Sequence, residues 1–176
     1  MALPLDIASA CAPSTFSLPQ VPGIEILSVA AAIVENFTME ANEFFRYTHP
    51  SITAENITFC NTTVTYTHSK TDDQVNVEVW LPATDWNERL YAAGGSGLGA
   101  GRFLVPYTTM AGALAEGYAT VSSDAGLGYA EEVLNATWVL KSPGNLNLQL
   151  LQNFGATSMN EAVRLQRCFW ANGGPC

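Results

Sequence analysis

Charged residues, and basic ones above all, are scarce in this sequence. Only 13% of its 176 residues are charged, and seven Lys and Arg against sixteen Asp and Glu leave a formal net charge of −9. Binding to nucleic acid or to an anionic membrane surface relies on clustered cations, so neither partner is expected. No apolar run approaches the ~18 residues of a membrane-spanning helix. With 48% hydrophobic residues, the composition predicts a soluble, acidic, globular protein of one domain, or of one domain and a fragment of another.

Motifs for catalysis are equally scarce. The G-x-S-x-G step that exposes a nucleophilic serine in α/β-hydrolases is absent, and residues 94–98 fail to match it at the last position. The sequence has two histidines. We interpret both His49, which precedes Pro50, and His68, which borders a predicted turn, as surface residues rather than general bases. No group of His, Asp and Glu has the spacing of metal ligands. The sequence therefore presents no evident nucleophile, general base or metal site.

The cysteines include no C-x-x-C pair, which argues against a zinc or redox motif. There are four of them, Cys11, Cys60, Cys168 and Cys176. An even number of widely spaced cysteines is typical of disulfides in an oxidising compartment, although four separate buried thiols remain an alternative. Four N-glycosylation sequons point the same way, and they begin at Asn36, Asn56, Asn61 and Asn135. We therefore expect a secreted, extracellular protein.

A complete signal peptide is nevertheless not expected in this chain. Residues 1–45 contain no Lys or Arg, and Pro4 and Asp6 interrupt the only candidate apolar core. A secretory signal combines a basic start with an uninterrupted apolar stretch. The signal of a secreted protein would therefore have to lie outside this sequence.

Residues 1–85 predict a β-rich N-terminal segment. Residues 21–34 are apolar and rich in β-branched side chains, and they fit either a strand or a short buried helix. Residues 56–68 are rich in Thr, Val, Phe and Tyr, which favour strands. Residues 69–73 supply polar turn chemistry. These patterns indicate extended structure that ends in a hairpin.

The hairpin itself is predicted from a strict alternation between residues 75 and 79. Side chains on a strand point to opposite faces with a period of two. The pattern predicts an antiparallel hairpin with one wet face: a covered side made by Val75, Val77 and Val79, and a side facing water made by Asn76 and Glu78. Trp80 would join the side of Asn76 and pack near Trp86 or the Leu90 strand.

Residues 86–170 have the pattern of an α/β core. Residues 89–93 form a short apolar run expected of a strand covered on both faces, and a glycine-rich stretch, 94–101, follows. Residues 108–116 look helical, with Gly117 as a left-handed cap, and 118–123 form another strand. Strand, loop, helix and strand make the crossover unit of a parallel sheet.

Two further features concern the end of that core. We interpret Asp124, which follows the second strand, as a turn or helix N-cap residue rather than a ligand-binding one. Residues 145–170 predict a helix broken near Gly155, with Ser158 and Glu161 at the spacing of a capping box. One face of this helix would contain Met159, Ala162, Val163, Gln166, Phe169 and Trp170.

The glycine-rich stretch admits three interpretations. Residues 95–100 satisfy G-x-G-x-x-G/A with Glu116 further on, as in dinucleotide-binding domains, which would require a helix that begins within residues 97–101; Pro106 and the β-rich first third argue against it. The stretch also fits an oxyanion loop, in which glycines let backbone N–H groups approach a substrate. The third interpretation is a flexible turn that uses the conformational freedom of glycine.

An ordered set of short motifs resembles the fungal tannase and feruloyl esterase family. The set comprises Val-Glu-Val-Trp-Leu-Pro at 77–82, Asp-Trp-Asn-Glu-Arg-Leu at 85–90, Gly-Gly-Ser-Gly at 94–97, Gly-Tyr-Ala at 117–119, Ser-Ser-Asp-Ala-Gly at 122–126 and Asn-Phe-Gly at 153–155. The resemblance covers roughly residues 11 to 165, and it includes Cys11 and Cys60, which stand where family members carry early cysteines. Residues 171–176 form a tail that does not match.

The resemblance implies a fold and a chemistry. It implies an α/β protein: an incomplete α/β-hydrolase-type core, at residues 86–170, preceded by the antiparallel β-rich segment. It implies a Ser–Asp–His triad, of which no member is found here, and a calcium site in a lid domain, so no cofactor is expected in this chain. It also implies a Cys11–Cys60 disulfide. Of the catalytic parts only the oxyanion loop carries over, with the Gly95 backbone N–H as donor and with Gly94 and Gly97 shaping the loop.

The resulting expectation is the N-terminal portion of a secreted serine-type carboxylic ester hydrolase. Its substrates in a complete protein would be phenolic gallate or ferulate esters, including plant cell-wall esters. This chain, truncated before the nucleophile, is expected to be inactive by itself. The alternative is a non-catalytic remnant or binding module of the same fold, and a dinucleotide-binding domain is a distant third.

Overall fold

The structure is a computed structural model that describes residues 7–16, 20–46, 49–130 and 134–170, without the side chains of residues 7, 8 and 168–170. The strands are β1 (Ile24–Ala41), β2 (Ile52–His68), β3 (Val75–Pro82), β4 (Leu90–Ala92), β5 (Ala119–Ser123), β6 (Leu140–Ser142) and β7 (Asn145–Leu146). The α-helices are α1 (Ile7–Ala10), α2 (Glu43–Arg46), α3 (Leu104–Ala115), α4 (Leu148–Gln152) and α5 (Ser158–Trp170). Short 3₁₀ turns cover Pro13–Thr15 and Thr137–Val139. The predicted tail and the side chains of Cys168, Phe169 and Trp170 lie outside the described residues.

One mixed sheet organises the described chain. Its strand order is β1-β2-β3-β5-β4, with antiparallel pairing everywhere except between β4 and β5, which are parallel. Helix α3 connects those two parallel strands, as the crossover prediction requires. The two predicted segments therefore share a single sheet. Among the described residues, no helix is long and apolar enough to cross a membrane.

Strand β1 resolves the first ambiguity of the sequence in favour of a strand. It runs for 18 residues at the edge of the sheet and pairs with β2 alone among the described strands. The pairing register shifts between Val34 and Phe37. Asn36 and Asn56, both with left-handed φ values of 54° and 52°, lie at this bulge. Asparagine tolerates that conformation better than most residues, which accounts for its use there.

The predicted hairpin is confirmed, but its wet face is not. Strands β2 and β3 pair antiparallel in continuous register, and Val75, Val77 and Val79 are fully buried. Glu78, expected to face water, is only 5% exposed. The alternation persists, since Glu78 and the valines point to opposite faces. The second face is covered because α3 packs across it, and the local sequence of the strand carries no sign of that packing.

Trp80 lies on the face of Glu78, as expected, and it too is buried. Its ring stacks on Tyr107 of α3, with centroids 5.8 Å apart and planes 5° from parallel. Phe59 and Phe37 contact the same indole. Tyr91 of β4 packs against this cluster, so the Leu90 strand contributes a neighbour as predicted. The principal partner of Trp80 is nevertheless the helix.

The core consists of one cluster on each side of the sheet. The valines of β3 pack with Tyr66, Val121 and residues of α5, including Ala162 and Leu165. On the opposite side Phe59 and Trp80 pack with α3. Complete burial of an aliphatic or aromatic side chain contributes roughly 1.5–3 kcal/mol, so both helices are held to the sheet mainly by these apolar contacts.

Helix α3 begins at Leu104, four residues before the predicted start. Pro106 falls in its first turn, where the missing N–H breaks no helical hydrogen bond. Gly117 has φ +82° and donates to the Leu114 carbonyl over 2.9 Å, so the predicted left-handed cap is confirmed. Strand β4 is less covered than predicted: Ala92 is exposed, because β4 forms an edge of the described sheet.

The helix predicted over 145–170 is shorter and begins differently. Residues Asn145–Leu146 form β7, and helix starts at Leu148, capped by Asn147, whose side chain accepts from the Leu150 N–H. The predicted break near Gly155 is a π turn over Asn153–Thr157 that joins α4 to α5. The helix therefore continues through the glycine.

The capping box predicted at the start of α5 is wrong. Ser158 has helical φ and ψ of −62° and −39°, and its N–H donates to the Asn153 carbonyl. A residue inside a continuous helix has no orphan N–H groups to cap. Glu161 instead points towards β2, where it meets Tyr66 and His68. Of the predicted helix face, Ala162 and Gln166 are fully buried.

Candidate active site

The glycine-rich loop follows β4 at the carboxyl end of the two parallel strands. In open α/β sheets this end carries the ligand site. Ser96 and Gly99 exchange backbone hydrogen bonds of 3.1 Å in both directions, which closes residues 96–99 into a tight turn. Gly97 has φ +60° within that turn. The left-handed conformation explains the glycine at position 97.

Gly95 is required at its position for a steric reason. A Cβ atom there would lie 1.9 Å from the carbonyl oxygens of both Gly99 and Ala100. Within the described part of the chain, the Gly95 N–H makes no hydrogen bond, and the residue is exposed. Gly94 has open space around it and ordinary backbone angles. The Gly95 N–H is therefore one of several backbone donors of this loop that no described residue accepts from, and it lies at a close backbone approach that only glycine allows.

The rear of the loop is attached to β5. A Cβ on Gly101 would lie 2.4 Å from both the Ser122 Oγ and the Ser123 carbonyl oxygen. The Ser122 hydroxyl donates to the Ala93 carbonyl over 2.9 Å and is fully buried. Ser122 thus links the two parallel strands at the point where the loop leaves the sheet, and its hydroxyl is engaged.

A buried carboxylate, Glu78 of β3, supports the loop through Arg102, the residue that follows it. Its Oε1 accepts from the Asn61 amide at 3.0 Å and the Trp80 indole at 2.9 Å. Its Oε2 accepts from Arg102 Nε at 3.2 Å and the Tyr107 hydroxyl at 2.8 Å. Four donors satisfy this charge, which is the condition for burying one. Burial beside Glu78 raises the pKa of the Tyr107 phenol, so this hydroxyl remains a proton donor.

Asp124 is the second buried carboxylate of this region. It is fully buried and accepts from the backbone N–H of Asn76 at 2.8 Å and of Gly126 at 2.9 Å. The Asn76 side-chain amide donates to its other oxygen at 2.7 Å. Arg102 lies 3.5 Å from that same oxygen. The predicted turn role is consistent with the bond to Gly126, and Asp124 additionally joins β3 to the end of β5.

His68 is not a surface residue, and that interpretation is wrong. Its side chain is 14% exposed and lies between two carboxylates, with Nδ1 2.6 Å from Asp73 Oδ2 and Nε2 3.1 Å from Glu161 Oε1. The Tyr66 hydroxyl donates to Glu161 Oε2 over 2.7 Å. Glu161 belongs to α5, 93 residues further along the chain. The cluster fastens α5 to the hairpin. His49 is exposed, as predicted.

The charges around His68 alter its acid–base behaviour. Burial by itself would lower the pKa of His68, but the hydrogen bond to Asp73 and the negative charges of Glu161 and Asp73 outweigh burial and raise it. Burial likewise opposes ionisation of Asp73, yet its bonds from the His68 backbone, Thr71, Asn153 and the His68 ring lower its pKa. The two carboxylates therefore favour the protonated form of the His68 ring. Within the described fold this histidine is held by structural contacts to Asp73 and Glu161.

A cleft of about 420 Å³ opens beside the glycine loop. Leu98 and Gly99 line it from the loop, and Tyr129, Asn135 and Trp138 line it from the segment after β5. The Trp138 indole N–H is buried without a hydrogen-bond partner among the described residues. Polar and apolar atoms both line the cleft.

The described residues do not provide the calcium site that the resemblance implies for a lid. No three His, Cys, Asp or Glu side chains are grouped to hold a metal ion in the described ranges. The two buried carboxylates near the loop, Glu78 and Asp124, are already engaged by protein donors. Calcium requires six to eight oxygen ligands.

The implied disulfide is present. Cys11 and Cys60 are bonded with their Cα atoms 5.6 Å apart, within the range of roughly 4.4–6.8 Å that such bonds require. The bond ties the N-terminal residues to the middle of β2. Closing a loop across a sequence separation of 49 residues stabilises the fold by about 4 kcal/mol on the chain-entropy model.

The sequons differ in their surroundings. Asn36, Asn56 and Asn135 are exposed, whereas Asn61 is half-buried in β2 and hydrogen-bonded to Glu78.

The helix required for dinucleotide binding at residues 97–101 is absent, because α3 begins at Leu104. Sequence reasoning also missed Arg102 and Glu78 as supports of the loop. The Glu-x-Trp spacing on β3 was a visible signal, since Glu78 and Trp80 share a face and bond to one another.

Comparison with known proteins assigns this arrangement to a class. The family model described as tannase and feruloyl esterase matches residues 60–170. The chain belongs to that family. Its relatives include a probable feruloyl esterase of Arthroderma benhamiae, 39% identical over 148 residues that make up 81% of this chain and 25% of the relative.

Solved structures show the same fold. Feruloyl esterase B from Aspergillus oryzae superposes with a TM-score of 0.56 at 24% identity, covering 88% of this chain and 28% of that one. An esterase from Aspergillus oryzae superposes with a TM-score of 0.55 at 17% identity, covering 94% and 30%. The mixed sheet described above is thus a partial α/β-hydrolase-like fold. The chain spans between a quarter and a third of the length of these relatives.

Proposed function

We propose that this chain forms the oxyanion-loop portion of a secreted serine-type carboxylic ester hydrolase that acts on phenolic esters. The observation that carries the proposal is the Gly95 N–H, an unused donor on an exposed loop at the carboxyl end of the parallel strands. Family membership supports the reaction class, and the names of the relatives support ferulate or gallate esters as substrates.

The chemistry asked of Gly95 is stabilisation of charge. When a serine alkoxide attacks an ester carbonyl, the carbonyl oxygen becomes an oxyanion, and backbone N–H groups aimed at it lower the barrier. Each such donor contributes roughly 3–4 kcal/mol, which is a rate factor of about 100 to 1,000. The carbonyls of Gly99 and Ala100 approach Gly95 so closely that a side chain has no room there. A donor held ready in the loop would need no rearrangement during the reaction.

The 176 residues alone are proposed to be inactive. Acyl transfer needs a nucleophile paired with an oriented base. Within the described chain, His68 is held by Asp73 and Glu161, and the Ser122 hydroxyl is bonded to a backbone carbonyl. The His68 ring is therefore not available as a general base, and the Ser122 hydroxyl is not available as a nucleophile. Purified chain should therefore show background rates with methyl ferulate and methyl gallate, and turnover well above background would contradict the proposal.

A chimera tests the loop directly. Residues 1–170 would replace the matching part of the Arthroderma benhamiae relative, and hydrolysis of both esters would be measured. Gly95→Pro removes the N–H, whereas Gly95→Ala keeps the N–H and introduces the same close Cβ contact, so the difference between them isolates the donor. We expect the proline variant to lose a further 100-fold or so in kcat. Since the Cβ contact displaces the loop in both variants, the outcome that would contradict the donor role is a proline variant that keeps the kcat of the parent chimera.

A second candidate function, a binding module without catalysis, is favoured by the cleft itself. Tyr129 and Trp138 line it without help from residues outside this chain. Ferulate should quench tryptophan fluorescence of the isolated chain if the module binds by itself, and Trp138→Phe should abolish the response. Binding without turnover in the chimera would favour this candidate over the hydrolase.

Secretion with N-linked glycans is part of the same proposal. The supports are the Cys11–Cys60 disulfide, which persists in oxidising compartments, and exposed sequons on several surfaces. The complete gene product behind its own leader should appear in culture medium. Retention inside the cell would contradict secretion.

A further inference from the structure

The Asn61 amide lies inside the fold. Its Nδ2 donates to Glu78 Oε1 over 3.0 Å, and its Oδ1 is buried. The residue sits in the middle of β2, opposite Ala32 of β1 on one side and Trp80 of β3 on the other. Both neighbouring strands are therefore in place around it. The Asn61 side chain is thus a hydrogen-bond donor to Glu78, the carboxylate that supports the glycine loop.

N-linked glycosylation attaches a sugar to Nδ2 of asparagine. At position 61 that atom faces a carboxylate which is 5% exposed and already shared by Trp80, Arg102 and Tyr107. A sugar ring has no room there without displacing these donors. Because an uncompensated buried charge is costly, a chain glycosylated at Asn61 cannot complete this part of the fold.

The sequons at Asn36 and Asn56 have the opposite surroundings. Both asparagines are exposed and left-handed at the bulge between β1 and β2. The two sequons meet there: Phe37 pairs with Ile57, and the Asn56 N–H donates to the Thr38 hydroxyl over 3.1 Å. Asn135 is also exposed, with Oδ1 accepting from the Thr137 N–H over 2.9 Å. Asn135 also lines the cleft beside the glycine loop, where a glycan would enter the candidate site, so no glycan is assigned to it.

We propose that the folded chain carries N-linked glycans at Asn36 and Asn56 and none at Asn61, whose amide serves as an internal hydrogen-bond donor to Glu78. The inference rests on the secretory part of the proposed function and is independent of hydrolysis. The paired glycans lie beside β1, whose outer edge is unpaired among the described strands. Open edges invite pairing with other chains, and bulky sugars at the bulge obstruct such an approach.

The test separates this inference from native secretion by using a heterologous leader and a glycosylating yeast. Trypsin without reduction cuts after Arg46 and Lys70 and leaves one disulfide-linked species that contains Asn36, Asn56 and Asn61. That species selects molecules with the native Cys11–Cys60 bond, from medium or from cell extract. Enzymatic removal of glycans in heavy-oxygen water then labels each occupied asparagine for mass spectrometry.

The expected result is labelling of Asn36 and Asn56 in most linked molecules, with Asn61 unlabelled. A glycan at Asn61 in the linked species would overturn the proposal, and so would a bare asparagine at Asn36 or Asn56. Neither outcome depends on whether the protein hydrolyses esters.

Variants at one sequon keep the structural role testable. Thr63→Ala removes the sequon and leaves the Asn61 amide in place, so the glycan mass and yield should equal those of the parent chain. Asn61→Asp also removes the sequon but sets a second carboxylate against Glu78, and we expect a several-fold lower yield of the linked species. Equal yields for the two variants would contradict the internal role of the amide.

Discussion

The Arg102 guanidinium donates from Nε to Glu78 Oε2 over 3.2 Å. Arg102 follows the glycine loop directly, with a left-handed φ of 56°, whereas Glu78 lies in the middle of β3. The contact therefore ties the end of the loop to the sheet. Because the same guanidinium reaches Asp124 at 3.5 Å, one cation neutralises two buried carboxylates beneath the proposed donor.

Removing the Glu78 carboxylate should be strongly destabilising. Glu78→Ala leaves the Trp80 indole without its acceptor and Arg102 with Asp124 as its only carboxylate among the described residues, and loss of one member of a buried ion pair costs about 3–5 kcal/mol. Urea unfolding followed by tryptophan fluorescence measures the change. Glu25→Ala, at an exposed position of β1, is the matched control and should change the free energy of unfolding by less than about 0.5 kcal/mol. Similar losses for both variants would contradict the role given to Glu78.

Stability should depend on pH through His68 and Asp73. The folded pKa of His68 is raised above 6.5, so its contribution is complete below that pH and is lost as pH rises through the folded pKa. The folded pKa of Asp73 is lowered below 3.8, so its contribution is present above that pH and is lost as pH falls through the folded value. The cluster therefore stabilises most between about pH 4 and 6.5.

His68→Gln provides the control for that pH dependence. The glutamine cannot carry a charge, so the fall in the free energy of unfolding above about pH 6.5 should become shallower than in the parent chain. Unfolding in urea at several pH values between about 3 and 9 gives both profiles. Parallel profiles would show that His68 does not titrate with folding.

The disulfide should account for a large share of the stability. Cys11→Ser with Cys60→Ser should lower the free energy of unfolding by about 4 kcal/mol, because the unfolded chain regains the entropy of the open loop. Differential scanning calorimetry of the double variant, beside reduced parent chain, measures the loss. An unchanged midpoint in both samples would show that the bond constrains nothing.

Alanine substitutions at two glycines should change the free energy of unfolding in opposite directions. Gly117→Ala should destabilise by more than about 1 kcal/mol, since φ is +82° and a Cβ would lie 2.5 Å from the Asp85 carbonyl oxygen. Gly155→Ala should stabilise by roughly 0.4–1 kcal/mol, since its Cβ meets nothing within 4 Å and its φ is not left-handed. Thermal melts of both variants suffice. A loss at Gly155 would show that the π turn needs the glycine.

Features with local causes were predictable from the sequence. The hairpin follows from the alternation at residues 75–79, and the cap at Gly117 follows from the position of a glycine after a helical stretch. The exposure of Glu78 and of His68 was predicted wrongly, because the residues that surround them in the fold are distant in the sequence. Tyr107 and Arg102 cover Glu78 from 24 to 29 residues away, and Glu161 reaches His68 from 93 residues away. Periodicity assigns a side chain to a face, and tertiary packing decides whether that face is wet.

The long separation between His68 and Glu161 has a consequence for synthesis on the ribosome. Chains are made from the N-terminus at roughly 5–20 residues per second. The hairpin is thus complete roughly 4–16 s before α5 can supply Glu161 and cover the valines of β3. During that interval the nascent chain has a finished hairpin whose apolar face is uncovered. Its His68–Asp73 pair also lacks the contact with Glu161. The speed of translation over the intervening residues sets how long a chaperone must shield it.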